Sequence, residues 1–305
     1  IFLFGRSSGE KWCATDFVIT ASRQGTAHTM VTPDAATCRA CAIEMFTPGN
    51  RRWRYAFTNC THCGPRFTIT RSIPYDRPMT SMASFAMCSD CRHEYDDPAD
   101  RRFHAQPNAC PVCGPQLRLI DTKGSLIDCN DPVVAAAKMI KEGKIVAVKG
   151  LGGFHLAVDA HNANAVFRLR QRKAREAKPL AVMTPNGASA RLWGDFNDIE
   201  IELLNSPARP IVLARKTERC RNAFIHVADD LNEIGLMTAY TPVHLLLFHA
   251  LAGLPSDPRW LDAASEDALV MTSANPSGEP LVIHTKEACE RLNGIADAIL
   301  THDRE

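Results

Sequence analysis

Eight cysteines stand in four Cys-x2-Cys pairs, Cys38/Cys41, Cys60/Cys63, Cys88/Cys91 and Cys110/Cys113, and the last two pairs repeat the first two at a fixed offset (88 − 38 = 50). The same offset aligns Glu44 with Glu94, Pro48 with Pro98, Arg51 and Arg52 with Arg101 and Arg102, and Gly64-Pro65 with Gly114-Pro115. Two thiolates three positions apart on a tight turn both reach one ion at about 2.3 Å without straining the backbone, so each copy has the spacing of a tetrahedral four-thiolate zinc site. The repeat predicts sequential sets, Cys38, Cys41, Cys60 and Cys63 on one Zn2+ and Cys88, Cys91, Cys110 and Cys113 on another; an interleaved cross-brace is the alternative. Four thiolates leave no open coordination position, which makes both ions structural rather than catalytic. The glycine after each second pair is expected at positive φ, with the proline behind it stopping any helix. Buried free thiols, a redox dithiol or a disulfide set are the plainer readings, and eight thiols in matched pairs weigh against them.

A second chemistry is carried by cations and small hydrogen-bond donors. Arg168, Arg170, Arg172, Lys173, Arg175 and Lys178 share a short run with one acid, Glu176, and together offer the charge and donors a triphosphate needs. A solvated helix face is the plainer reading of such a run. One hundred residues after Lys173 (273 − 173 = 100), Ser273 opens a loop with Asn275, Ser277 and Gly278 at the expected carboxyl end of a strand. Ligands bind at such ends in open α/β sheets, although the same residues also make ordinary turns. The common nucleotide fingerprints are absent: there is no P-loop, and His155 stands where Gly150-x-Gly152 would need a third glycine.

The elements that must position these groups divide the chain. Residues 1–30 offer a strand-like run at 16–21, the cysteine repeat fills 31–119, and 120–131 is a polar linker. From 132 onward, apolar strands at 145–148, 180–183, 211–214, 234–237 and 269–272 alternate with helices at 133–142, 164–173, 242–251 and 285–292. This alternation predicts a mixed α/β fold, a twisted open sheet with a small N-terminal module. Composition suits one sizeable core: 45% of residues are hydrophobic, and 35 basic against 34 acidic residues give +1, too neutral for a polyanion partner. Within 38–115 there are ten arginines and seven acids; two zinc ions with eight thiolates turn that +3 into −1 (3 + 2 × (2 − 4) = −1), so nucleic acid is not the expected partner. No stretch could span a membrane, and thiols kept for zinc beside the single Cys13, Cys129, Cys220 and Cys289 point to a reducing, cytoplasmic setting. His244 and His249 read as core or surface histidines, and Gly150, Gly152 and Gly153 as the wall of a closed pocket.

Lys173-x-Arg175 with Ser273-x-Asn275 resembles the signature of YrdC/Sua5-type domains, which make acyl-adenylates from ATP. With the duplicated module upstream, and with Asn59-Cys60 running on to Pro65-Arg66, Arg101-Arg102-Phe103-His104, and Lys149-Gly150 running on to Phe154-His155, residues 29–305 resemble the HypF family of carbamoyltransferases, which start cyanide-ligand synthesis for nickel–iron hydrogenases. The resemblance implies a YrdC-like ATP-binding domain over 132–305, two structural Zn2+ ions, and ATP with Mg2+ as substrate. Carbamate derived from carbamoyl phosphate would be adenylated, and its carbamoyl group would go to the C-terminal cysteine of HypE. It also implies Lys173 and Arg175 as the catalytic pair at the phosphates and carbamate, Ser273 and Asn275 as hydrogen-bond partners of the nucleotide or acyl group, and Lys178 and Arg304 as further ATP-binding residues. Members of the family carry an acylphosphatase-like domain before this region and a Kae1-like domain after it, so residues 1–30 read as a remnant of the first or a linker and the chain as a central fragment. Threonylcarbamoyl-adenylate synthesis for tRNA modification is an alternative that the cysteine repeat disfavours. A zinc-dependent nucleic-acid-binding or scaffold module is another, disfavoured by the charge.

Overall fold

The computed structural model describes residues 30–305 apart from 176, 177 and 277, so the expectations for 1–29, the run at 16–21 and Cys13 among them, lie outside the described residues. Helices α1 (Arg39–Met45) and α2 (Ser89–Asp96) each start directly after the first cysteine of their copy, with Cys38 and Cys88 at the N-caps. The repeat is equally visible in the backbone. Arg54 and His104, fifty positions apart, both adopt left-handed φ values of 55° and 52°, and their amides donate to Met45 O and Tyr95 O at 2.8 and 3.0 Å.

The paired glycines do not share one role. Gly64 has φ +91°, as expected, whereas Gly114 is not in the left-handed region. Space excludes a side chain there instead: a Cβ on Gly114 would lie 2.0 Å from Tyr55 Oη and 2.5 Å from Ala109 Cβ. Both neighbours are buried, so Gly114→Ala should cost about 1–3 kcal/mol through overpacking. Urea unfolding measures this; an unchanged midpoint would mean that Tyr55 swings aside freely.

After the repeat come β1 (Leu117–Ile120), α3 (Pro132–Lys141), β2 (Val146–Lys149), β3 (Phe154–Asp159), α4 (Ala163–Arg172), β4 (Ala181–Thr184), α5 (Gly187–Ala190), β5 (Gly194–Asp195), α6 (Asp198–Asn205), β6 (Val212–Lys216), α7 (Glu218–Ala223), β7 (Glu233–Thr238), α8 (Pro242–Leu251), β8 (Leu269–Ser273), α9 (Thr285–Arg291) and β9 (Ala298–His302). The strands form one mixed sheet in the order β1-β9-β2-β3-β8-β4-β7-β6-β5, parallel at β9–β2 and β4–β7 and antiparallel elsewhere. The stretch 117–120, expected at the junction of module and linker, is therefore the sheet's edge strand. Leu119 and Ile120 are buried in it, and Ile127 N donates to Leu119 O at 3.0 Å, folding the following segment back.

The cysteine module has little apolar interior of its own and completes that of the sheet. Met45, Phe46, Phe57 and Met82 enter the core shared by α3, α8 and one sheet face, and the Phe46 ring meets His249 at a tilt and Trp260 edge to face, with centroids 4.5 and 4.9 Å away. Asp131 adds a polar tie: its Oδ1 caps α3 while its Oδ2 accepts from Arg54 at 2.8 Å. His249 belongs to the same seam, taking Arg54 Nη1 on Nδ1 at 2.7 Å and facing Pro255 O through Nε2 at 2.9 Å. The module is thus a fixed wall, not a tethered arm.

Candidate functional site

The sulfurs gather in the sequential sets: within each set, Cys38 with Cys41, Cys60 and Cys63, and Cys88 with Cys91, Cys110 and Cys113, the ligand atoms lie within 4.8 Å of one another. Cys38–Cys60, Cys60–Cys63, Cys88–Cys110 and Cys110–Cys113 are each separated by 3.8 Å, and Cys41–Cys63 by 3.5 Å. A tetrahedron with metal–sulfur bonds of about 2.3 Å has edges of about 3.8 Å, so both clusters fit a zinc ion. The arginines of each copy serve the other copy's cluster. Arg51 donates to Cys91 Sγ at 3.4 Å and Arg101 to Cys41 Sγ at 3.4 Å, while Arg52 binds Glu94 and Ala109 O, and Arg102 binds Glu44 and Asn59 O. Burial raises the Glu94 carboxyl, yet the hydrogen bonds and charge of Arg52 outweigh it and hold Glu94 at about 2. Arg66 and Arg77 are spent on backbone carbonyls in the same module.

The second motif pair also converges. Helix α4, capped by Asn162 Oδ1, ends where Ala174 turns to φ 47°, a conformation unusual for alanine that reverses the chain after Lys173. Lys173 Nζ then donates to Ser273 O and Asn275 O at 2.6 Å each and lies 2.9 Å from Asn275 Oδ1. An ammonium has three donors and all three are used here, so Lys173 clamps the loop rather than reaching freely for a ligand. Ser273 Oγ donates to Asn275 Oδ1 at 2.7 Å, and Arg175 reaches Thr272 Oγ1 at 3.0 Å and Pro179 O at 2.7 Å. Of the six cations in the run, the others are spent elsewhere or stand outside: Arg168 binds Gly143 O, Arg170 binds His226 O and Val227 O, Arg172 pairs with Asp297, and Lys178 is exposed.

Arg175, Thr272 and Ser273 border a cavity of ≈ 720 Å³ on the open half of the sheet face. Its other side is an apolar shelf of Ile211, Leu213 and Leu231, with Arg215 and Glu233 beside it. Ile211, just before β6, and Leu213 within it alternate with the buried Val212 and Ala214, so this strand is apolar on both faces although only one is covered. That two-sided apolar run is the signal in the sequence for a shelf that motif reading passes over. Arg304 is not in this cluster. It borders a separate small cavity with Lys149, Gly150 and Thr58, and Gly150 there abuts His155, which a Cβ would meet at 3.0 Å. His155 and Ser273 are register partners across β3 and β8, so the two cavities stand one strand apart.

Comparison with known proteins recognises the same two parts of the chain. The family model described as "Telomere recombination", covering Sua5, YciO and YrdC proteins, matches residues 138–305, and the model for the HypF finger matches 37–70 and 87–120. The chain is 54% identical to "Carbamoyltransferase HypF2" of Cupriavidus necator over 304 residues, 97% of this chain and 38% of that one. It is 44% identical to the "Probable carbamoyltransferase HypF" of Methanocaldococcus jannaschii over 89% of this chain and 33% of the other. Among solved structures, the full-length HypF described as phosphate- and nucleotide-bound superposes with a TM-score of 0.79 at 43% identity, covering 90% of this chain and 34% of that one. HypF of T. kodakarensis gives 0.82 at 40% identity, with 93% and 36% covered. The chain therefore spans little more than a third of the relatives it matches. Carrying both fingers and the Sua5/YciO/YrdC domain in this order, the chain belongs to the HypF family.

Proposed function

We propose that the large cavity binds ATP with its Mg2+ and that this site adenylates carbamate, the middle step of carbamoyl transfer in hydrogenase maturation. The carrying observation is the closure of Lys173 and Arg175 on Ser273 and Asn275 at the rim of a cavity with an apolar shelf on one side and Arg175 on the other. A nucleotide has the same division, a flat base and an anionic tail. Ile211 and Leu213 would take the base, Arg175 the phosphates, and the Lys173 clamp would hold the Ser273 hydroxyl toward the α-phosphate. Glu233 is the one carboxylate bordering the cavity among the described residues, so the magnesium would rest chiefly on the triphosphate.

In this reaction a carbamate oxygen attacks the α-phosphorus, the bond to the bridging oxygen of the β-phosphate breaks, and pyrophosphate leaves with the electron pair. Carbamate is already a nucleophilic anion and needs no general base. The obstacle is the repulsion of two anions, which positioning and cationic stabilisation offset. The carbamoyl group would then pass on to the C-terminal cysteine of HypE.

ATP–pyrophosphate exchange tests the reading: exchange should depend on ammonium carbamate and not on threonine plus bicarbonate, and exchange with threonine alone would reject it. The pH profile adds a second check. Burial, then the charge of Arg175, lowers Lys173 to about 8, so the ammonium form is full below that value and is lost as pH rises through it. The kcat/KM for ATP, which reports the free enzyme, should be flat below about pH 8 and fall above it. A profile flat to pH 10 would show that the charge on Lys173 is not needed.

A further inference from the structure

The small cavity lies where the first finger meets the sheet. Phe57, Thr58 and Thr37 border it from the finger side, and Lys149, Thr241 and Arg304 from the sheet side. It offers ≈ 20 Å³ to the centres of water-sized atoms, against ≈ 720 Å³ in the nucleotide cavity. About 10–15 Å³ of such space holds one water, so an ion of a few atoms fits here and a nucleotide does not.

Its electrostatics are unbalanced. Lys149 and Arg304 are 8% and 5% exposed, and among the described residues neither forms an ion pair. Lys149 Nζ donates once, to Arg304 O at 2.7 Å, which leaves two of its three donors. The Arg304 guanidinium lies 5.0 Å over the Phe57 ring, and its Nε, like His302 Nδ1, is buried without a hydrogen-bond partner. The acids nearest in field are turned elsewhere: Asp34 Oδ1 accepts from the Arg66 and Thr68 amides, Asp303 Oδ1 from that of Gln116, and Glu305 pairs with Arg71. Two buried, unpaired like charges are costly unless an anion joins them. In keeping with that cost, burial and then Arg304 lower Lys149 to about 8, and burial lowers Arg304 to about 10.

We infer that this chamber holds a one-carbon oxyanion, carbamate or the equally small bicarbonate, between Lys149 and Arg304, so that the first finger forms a wall of a substrate site besides holding zinc. The inference rests on the adenylation reading for its choice of anion. The chamber stands one strand from Ser273, across the His155 register pair, which suits a labile nucleophile kept from water until the nucleotide is bound.

The test is anion binding without ATP, so it can fail or succeed apart from adenylation. Thermal unfolding of the zinc-loaded protein is followed in freshly dissolved ammonium carbamate, in bicarbonate, and in ammonium chloride at matched ionic strength. At ten times its dissociation constant the bound anion should raise the midpoint by about 3 °C. A shift with carbamate alone, or with both anions, identifies which is held. Lys149→Met and Arg304→Met should each lose the shift, while their midpoints in chloride stay level or rise because a buried unpaired charge is gone. The conservative Arg304→Lys should recover part of the shift. No shift in the unsubstituted protein, a shift that survives in both methionine variants, or a shift lost in Lys173→Ala but kept in Lys149→Met would overturn the inference, the last by placing the anion in the nucleotide cavity.

Discussion

Lys173→Ala should lower kcat/KM for carbamate-dependent ATP–pyrophosphate exchange by roughly 10²–10³, the loss typical when one preorganised electrostatic group is removed from a transition state. The ammonium holds Ser273 O, Asn275 O and Asn275 Oδ1 within 2.6 to 2.9 Å, so its removal both frees the donor loop and strips charge from the phosphate side. Lys173→Arg should not restore activity, because three oxygens converging on a point suit a compact ammonium and not a planar fork. A purely structural role would show as a raised KM for ATP with kcat kept; the expected result is a fall in kcat that no ATP concentration recovers. Zinc content must stay at two ions per chain in both variants, since no atom of this clamp touches the sulfurs. Retained exchange in Lys173→Ala would remove the proposed pocket.

How far such a site is legible without coordinates depends on how local its causes are. The cysteine sets were legible because a fixed offset marks a repeated unit and favours sequential pairs over an interleaved set, α4 because an apolar stripe stands behind a capping Asn162, and α8 because a continuous apolar run stands behind a capping Thr241. Strand β3 was hidden by the glycines before it: Phe154, Leu156 and Val158 alternate into one core, but the run reads as a continuation of a loop. Strand β1 was hidden by the repeat, which draws attention to residue 115 and past a four-residue Leu-Arg-Leu-Ile strand whose partner, β9, lies far along the chain. Side-chain direction was the least legible. Six cations in one run suggest one phosphate cradle, yet a helix turns successive residues by about 100°, and only Lys173 and Arg175, at and beyond its end, face the donor loop. Arg304 stood close to the end of the sequence without a motif around it, and only the fold shows that it meets Lys149 under the first finger.

The exchange of arginines between the fingers leads to the other large effect. Replacing Arg52 by Met should destabilise the protein by roughly 3–5 kcal/mol, the range for breaking a buried ion pair from one side. Arg52 is 2% exposed, and its loss takes a two-pronged partner from Glu94, which keeps Arg51 at 2.9 Å, and leaves Asn108 Oδ1 and Ala109 O without their donor. Glu94 would then lose the main partner that holds its carboxyl at about 2, with Arg51 left beside it, and would protonate more readily in its half-dry setting. The damage should appear in the wrong place for a simple finger. Because Arg52 belongs to the first copy but braces the second, zinc bound by Cys88, Cys91, Cys110 and Cys113 should escape first to a chelator, while the Cys38 set holds. Arg102→Met should reverse the order, since Arg102 braces Glu44 and Asn59 O of the first copy. Chelator competition with one cluster at a time marked by cobalt absorption would resolve the two sites. If each variant instead loosened its own copy, or both copies equally, the arginines would be acting as local supports. Loss from the opposite copy would show that neither finger is a complete unit, which gives a physical reason for the duplication: an anionic four-thiolate centre on this module is neutralised from its twin.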